Sequence, residues 1–358
     1  MPKNIFRLFL LIVLVAGFCG FESHDASAEG QLREWLKNRR QGNTEGSQQG
    51  GFFDDGLFDE EDGEGHSCAE RSKSVSKLMN SRLGKRAKGP DADLKDIAYG
   101  EKERQKLDVF YPTTKDRSAL APIIFMVHGG GWCIGDKALK GTTANKVARW
   151  LPKGFMFVTV NYRMVLDGSL PVSQAEDVAR AIAYVQKNAA DWGGDGERII
   201  LMGHSAGAHL VSLVNADARI RERMDVKPVL GTISLDSGAT NVPVQMPNVL
   251  DPVKGIYKDA FGTDEAYWIE ASPYHHLDKT ASPWLGVCSS KRKDKPCDQA
   301  AAYSAKSGSL GVKAAILPLP KGHGAINKEL GQDSAYTEQV EIFMSTLDPV
   351  VHRLLSPR

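Results

Sequence analysis

The sequence predicts an α/β fold, a mostly parallel central sheet with helices on both faces. Two observations carry that prediction. Apolar runs of strand length alternate with segments of helical spacing over roughly 250 residues, from about residue 96 to 350. Several of those runs, such as "PIIFMV" and "FMFV", are apolar without interruption, as expected of strands buried on both faces.

The elements follow in order. "KLDVFYP" alternates and ends at a proline, so it is a strand. "PIIFMVHGGG" is a buried strand that breaks into glycines. Residues 139–150 have helical spacing, and "FMFVTVNY" is a second buried strand. "SQAEDVARAIAYVQKNAADW" is a helix with Ser173 as N-cap. "RIILMG" is a strand and "SAGAHLVSLVNADA" the helix that follows it. "PVLGTISLD" is a strand. Residues 239–280 read as an irregular insert with prolines and aromatics. "PWLGVC" is a strand, 298–309 a helix, "VKAAILPLP" a strand and 333–347 a helix.

The region before residue 96 has a different character. Lys3 and Arg7 precede an apolar run from Leu8 to Phe18, and Ala26-Ser27-Ala28 supplies small residues for cleavage. Residues 1–28 therefore read as a secretory signal peptide, with an apolar run of about 11 residues that is short for a membrane span. The rival is a lipoprotein signal acylated at Cys19, against which the bulk of Phe18 argues. Residues 29–95 read as a low-complexity charged segment: a short helix at "LREWLKNRR", then a Gly-, Gln- and acid-rich stretch, then a basic stretch over 71–88. The expectation is a solvated tether ahead of a catalytic domain at 96–350. The mature chain is expected to be exported, periplasmic or secreted, with no membrane span.

Bulk numbers narrow the function. The chain has 358 residues, 42% hydrophobic and 25% charged, with a formal net charge of +1. That charge gives no electrostatic case for a nucleic-acid partner. Beyond Cys19 there are four cysteines, Cys68, Cys133, Cys288 and Cys297. An oxidising compartment allows three pairings, and proximity favours Cys288–Cys297. A Cys68–Cys133 bridge would clamp the N-terminal segment beside "HGGGW"; an intermolecular bond and free thiols remain alternatives.

Three motifs carry chemistry. "GHSAG", Gly203 to Gly207, lies between a strand and a helix, where Ser205 occupies a sharp turn that exposes its hydroxyl. "HGGGW", His128 to Trp132, ends another central strand, and its glycines leave backbone N–H groups facing a cavity. Gly130 and Gly131, with the N–H of Ala206, are the expected oxyanion donors. A phosphate loop is disfavoured, because no Lys-Ser/Thr continuation follows. "PKGHGAIN" presents His323 after the last strand, in the order Ser, acid, His. His204 sits in the elbow and points the wrong way, His209 is on the following helix, and His275 and His276 lie in the insert.

Together, "HGGGWCIGDK", "VNYR", "QAEDVARAIAYVQ", "GGDGERIILMGHSAGAHL" and "KGHGAIN" resemble the α/β-hydrolase superfamily over roughly residues 96–347. The likeness is to its HGGG-type esterase/lipase branch, near bacterial feruloyl-esterase-like proteins and kynurenine formamidases. The resemblance implies Ser205 as nucleophile, His323 as base, an oxyanion hole at Gly130, Gly131 and Ala206, and Asp136 and Arg163 as framework residues. The reading is a serine hydrolase of carboxylic esters that needs no metal or organic cofactor. The insert at about 239–280, with Tyr257, Phe261, Tyr267, Trp268 and Tyr274, is read either as a cap over the acyl or aryl group or as ordinary packing on the sheet edge. An arylformamidase or peptidase on the same scaffold, and a binding protein that has lost turnover, are the rival functions.

The acid is less regular. In the superfamily it usually follows the strand after the insert, in a form like "HG-x-x-D-x-x-V-P". Here "VCSSKRKDKPC" stands instead, with Arg292 aligned where the aspartate is expected and Asp294 two residues on. Asp294 is the first candidate, although Lys293 and Lys295 compete for it. Asp236, ending "TISLD", is the runner-up, and Asp278 is third.

Overall fold

The computed structural model describes residues 67–79, 87–114 and 119–356. The expectations for the signal peptide, Cys19, the "LREWLKNRR" helix and the acidic stretch fall outside these residues.

Eight strands form one sheet: β1 Leu94–Ala98, β2 Lys106–Phe110, β3 Ala121–Val127, β4 Met156–Val160, β5 Gly194–His204, β6 Gly231–Leu235, β7 Trp284–Ser289 and β8 Ala314–Leu319. Their spatial order is β1-β2-β4-β3-β5-β6-β7-β8. The β1–β2 and β2–β4 pairs are antiparallel, and every pair from β4 onward is parallel. Helices cover both faces. The mostly parallel sheet between helices is what the alternation of elements predicts, and its strand order is that of the α/β-hydrolase fold the resemblance implies.

The uninterrupted apolar strands are explained by where alternate residues go. Successive side chains of a strand point to opposite faces. Ile123, Phe125 and Val127 of β3 join one core with Val178 and Ile182 of the helix Pro171–Asn188 and Leu210 of the helix Ala206–Ala216. Ile124 and Met126 join a second core on the other face. There they meet Trp150 of the helix Lys140–Trp150 and Val340 of the helix Ala335–Ser345. All seven residues of β3 are buried. Each such aliphatic side chain contributes about 1.5–3 kcal/mol on leaving water.

Three details differ from the sequence reading. Strand β1 is an addition to the expected set; its residues Lys95 and Asp96 are exposed, and it adds only an edge. The helix given Ser173 as N-cap starts instead at Pro171, whose fixed φ suits a first helical turn. The segment read as a solvated tether contains a helix, Cys68–Met79, whose first residue is buried and bonded to Cys133.

The insert is helical in short pieces, Val242–Gln245, Asp251–Phe261, Glu265–Glu270 and Pro273–His276. Each carries an early proline or an aspartate cap, Asp264 accepting from the Ala266 N–H at 3.0 Å. The piece Asp251–Phe261 leans over the carboxyl ends of the central strands. In open parallel sheets, that is the edge where ligands bind.

Candidate active site

The carboxyl ends of five neighbouring strands converge on one cavity of about 470 Å³. Ser205 follows β5 and precedes the helix Ala206–Ala216, with φ 54° and ψ −118°. That strained turn is enforced by close packing on both sides. A Cβ on Gly203 would lie 2.3 Å from the carbonyl oxygen of Gly207, and one on Gly207 would lie 2.3 Å from that of Val127. No side chain fits at either position. Ser205 N–H donates to the Leu235 carbonyl at 2.9 Å, which ties the turn to β6.

The glycine loop after β3 turns back under the cap. Gly130 and Gly131 have φ of 132° and 61°, and Trp132 also has positive φ, at 61°. Trp132 is held from three sides. Its indole N–H donates to His209 Nδ1 at 3.2 Å, its carbonyl accepts from Gln174 at 3.0 Å, and its ring meets Tyr257 and Phe261 edge-on. His209 N–H in turn donates to the Ala271 carbonyl at 2.7 Å, so its other nitrogen is the acceptor. Burial pushes His209 down to about 4, which keeps it neutral. Just past Trp132, Cys133 is bonded to Cys68, and the Cys68 N–H donates to Asp259 at 2.8 Å. One helix thereby ties the glycine loop to the insert.

His323 opens the helix His323–Glu329 after β8, and its side chain lines the same cavity as Ser205. The helix is anchored by buried Lys146, whose ammonium donates to the Asn327 carbonyl at 2.6 Å and Asn327 Oδ1 at 2.9 Å. His204 sets its ring at a tilt of 38°, 4.6 Å from that of His323, and donates to the His323 carbonyl at 3.1 Å. Burial, aided by the neighbouring His323, holds His204 well below its ordinary value.

The carboxylate at His323 is that of Asp236, not Asp294. Asp236 Oδ2 lies 2.7 Å from His323 Nδ1. Asp236 Oδ1 accepts from the Ser289 N–H at 2.7 Å. Asp294 is instead held by Arg292, whose Nε donates to its Oδ1 at 2.9 Å and whose Nη2 donates to its Oδ2. The loop does bring Asp294 to the cavity, but a guanidinium stands between it and the imidazole. Arg292 Nη1 reaches past to Asp236 Oδ2 at 2.9 Å and lies 3.1 Å from His323 Nδ1.

Asp236 is fully buried, which by itself opposes its charge. The Arg292 guanidinium, the hydrogen bond from His323 and the Ser289 N–H outweigh that and hold its carboxyl well below the usual range. Arg292 is pushed upward for the complementary reason: its two carboxylate partners outweigh the effect of burial.

The other residues singled out in the sequence fall away from the cavity. Asp136 accepts from the Ala138 N–H and from Asn161, each at 2.8 Å. Arg163 forks onto Asp177 at 2.8 and 2.7 Å. Both brace the framework. His276 sits 3.8 Å from Asp217, and Asp278 closes a turn on Thr280 at 2.7 Å. Cys288 and Cys297 are bonded, closing the Arg292 loop at its base. Sequence reasoning missed the Ser289 N–H, a backbone group without any residue-type signal, and did not give Arg292 a task.

Against known proteins, the chain matches the BD-FAE family over residues 107–306. Esterase LipQ of Mycobacterium tuberculosis is 28% identical over 253 residues, covering 66% of this chain and 58% of LipQ. The probable isoprenylcysteine alpha-carbonyl methylesterase ICMEL1 of Oryza sativa subsp. japonica is 36% identical over 126 residues, 35% of this chain and 28% of that protein. The chain thus spans less than two thirds of each of these relatives. Among solved structures, a truncated carbohydrate esterase from gut microbiota aligns with TM-score 0.60 and 20% identity, over 75% of this chain and all of the other. Esterase B from Lactobacillus rhamnosis aligns with TM-score 0.60 and 18% identity, over 80% of this chain and 94% of the other. The strand order, the serine turn after β5 and the match over most of the sheet agree: the chain belongs to the BD-FAE family and has the α/β-hydrolase fold.

Proposed function

We propose that the protein is an exported serine hydrolase that cleaves carboxylic esters, with Ser205, His323 and Asp236 as its catalytic set. The observation that carries this reading is the 2.7 Å contact between His323 Nδ1 and Asp236 Oδ2 at a cavity that Ser205 also lines. Ser205 attacks the acyl carbon and gives its proton to His323 Nε2. Asp236 fixes the tautomer through Nδ1–H and stabilises the imidazolium as it forms. The N–H groups of Gly130, Gly131 and Ala206 receive the negative oxygen, each such donor being worth about 3–4 kcal/mol in related chemistry. His323 then protonates the leaving alcohol, and water repeats the cycle on the acyl-enzyme. Every step uses side chains, backbone and water.

The cavity volume suits a small ester. Leu250, Val253, Ile256 and Tyr257 give it an apolar wall from the insert, which supports the cap reading. Relatives named as esterases support the reaction class. Two disulfides support function in an oxidising compartment, in line with the signal reading of residues 1–28.

The test is a fluorophosphonate label followed by turnover of short-chain p-nitrophenyl esters. Labelling of the wild type and none of Ser205→Ala, with ester turnover, is the expected result. An unlabelled, folded wild-type protein overturns the hydrolase reading. Faster turnover of N-formyl aryl amides or aminoacyl amides than of esters would replace the ester by those substrates.

A further inference from the structure

We propose that Arg292 is a positioning residue for hydrolysis, holding the Asp236 carboxylate against His323 while Asp294 holds Arg292 in turn. The proposal rests on the assignment of Ser205, His323 and Asp236 above.

The side chains form one continuous chain of contacts from Gln299 to His323. Asp294 Oδ2 accepts from Gln245 at 3.4 Å, and Gln245 accepts from Gln299 at 2.6 Å. The carboxylate of Asp294 takes the Nε and Nη2 side of the guanidinium as a two-pronged pair. That leaves Nη1, which is committed inward to the Oδ2 and, at 3.3 Å, the backbone carbonyl of Asp236. An ion pair with Asp294 alone would satisfy a loop arginine. Here the remaining nitrogen is used on the one carboxylate oxygen that also serves His323.

Asp236 then has a donor for each direction it faces. The Ser289 N–H fixes Oδ1, and Arg292 and His323 fix Oδ2. Rotation of the carboxylate away from the imidazole breaks three bonds, each charge-assisted by the carboxylate itself. The loop that carries Arg292 is itself closed by the Cys288–Cys297 bond. Where a sequence comparison expects an acid, this chain has a cation that secures an acid arriving from β6.

The experiment compares kcat, KM and melting temperature for the wild type, Arg292→Lys and the double variant Arg292→Met/Asp294→Asn. The double variant removes both partners, so that Asp294 is not left as a buried, unpaired carboxylate. It should fold and lose about 100-fold in kcat with KM little changed. Arg292→Lys, which keeps the charge and loses the fork, should lose only about tenfold in kcat, again with KM little changed. A double variant with near wild-type kcat overturns the proposal. So does a fall in kcat that comes with a comparable rise in KM, or that Arg292→Lys does not partly restore, the pattern of disturbed packing alone. If the double variant does not fold, Arg292→Lys decides: unchanged kcat at an unchanged melting temperature overturns the proposal. Failure of the wild type itself to label at Ser205 would instead remove the hydrolase assignment beneath it.

Discussion

His323 and Asp236 stand 87 positions apart in sequence, yet Nδ1 of one lies 2.7 Å from Oδ2 of the other. Two strand ends meet there, that of β6 and the segment after β8. Asp236 adopts a φ of 57°, which turns its side chain off the strand and into the cavity.

That contact separates the two candidate acids. Asp236→Asn should lower kcat by about 10⁴ by leaving the imidazole without its anionic partner and in the wrong tautomer. Asp294→Asn should cost about tenfold or less, since it acts through Arg292. Steady-state turnover of a p-nitrophenyl ester by both variants checks this. Equal losses would mean the two carboxylates work as one unit.

The serine turn predicts a contrast between glycines. Gly207→Ala places a methyl 2.3 Å from the Val127 carbonyl oxygen, so the turn must open. Overpacking of this kind costs about 1–3 kcal/mol, and Ser205 would be displaced with it. Gly308, in the helix Pro296–Ser309, has open space where a Cβ would stand, and Gly308→Ala should stabilise by about 0.5–1 kcal/mol. Thermal melts with fluorophosphonate labelling of both variants test the pair.

The disulfides differ in the loops they close. Cys288 and Cys297 are 9 positions apart, and Cys68 and Cys133 are 65 apart. The chain-entropy estimate gives about 2.7 kcal/mol for the short loop and about 4 kcal/mol for the long one. Paired serine substitutions should therefore lower denaturant midpoints more at Cys68–Cys133. The Cys288→Ser/Cys297→Ser variant should show the larger fall in kcat relative to its loss of stability, because that loop carries Arg292.

Stability should also fall on acidification. Asp236 is held below its ordinary value in the folded chain, so its charge favours folding. That contribution is complete above the unfolded carboxylate value of about 3.9 and declines as pH drops below it toward the folded value. Melting temperatures between pH 7 and pH 3 should drop less steeply for Asp236→Asn than for the wild type. Parallel curves would show that Asp236 contributes nothing to the dependence.

What the sequence made legible follows from local patterning. Uninterrupted apolar strands such as β3, and glycines that a close turn demands around Ser205, leave marks in residue type. Strand β1 leaves none: Asp96 sits at positive φ within an irregular register, and Lys95 points to water. The insert reads as irregular because its helices run only 4 to 11 residues and begin at or near prolines or, at Glu265–Glu270, at the aspartate cap Asp264. Which carboxylate faces His323 is not legible in the sequence, for a tertiary reason. Asp294 and Asp236 both reach the cavity, and only the direction of the Arg292 guanidinium decides which one faces His323.

The two cysteine bonds grip the cavity from opposite sides, one directly behind the glycine loop and one under the Arg292 loop. Reductant in a buffer is then no neutral additive for this protein. Material produced in a reducing host and material oxidised on leaving it share a sequence and differ in the supports beneath both loops. Comparing their turnover is a comparison of two covalent species, and the thiol content of a preparation belongs beside any rate measured on it.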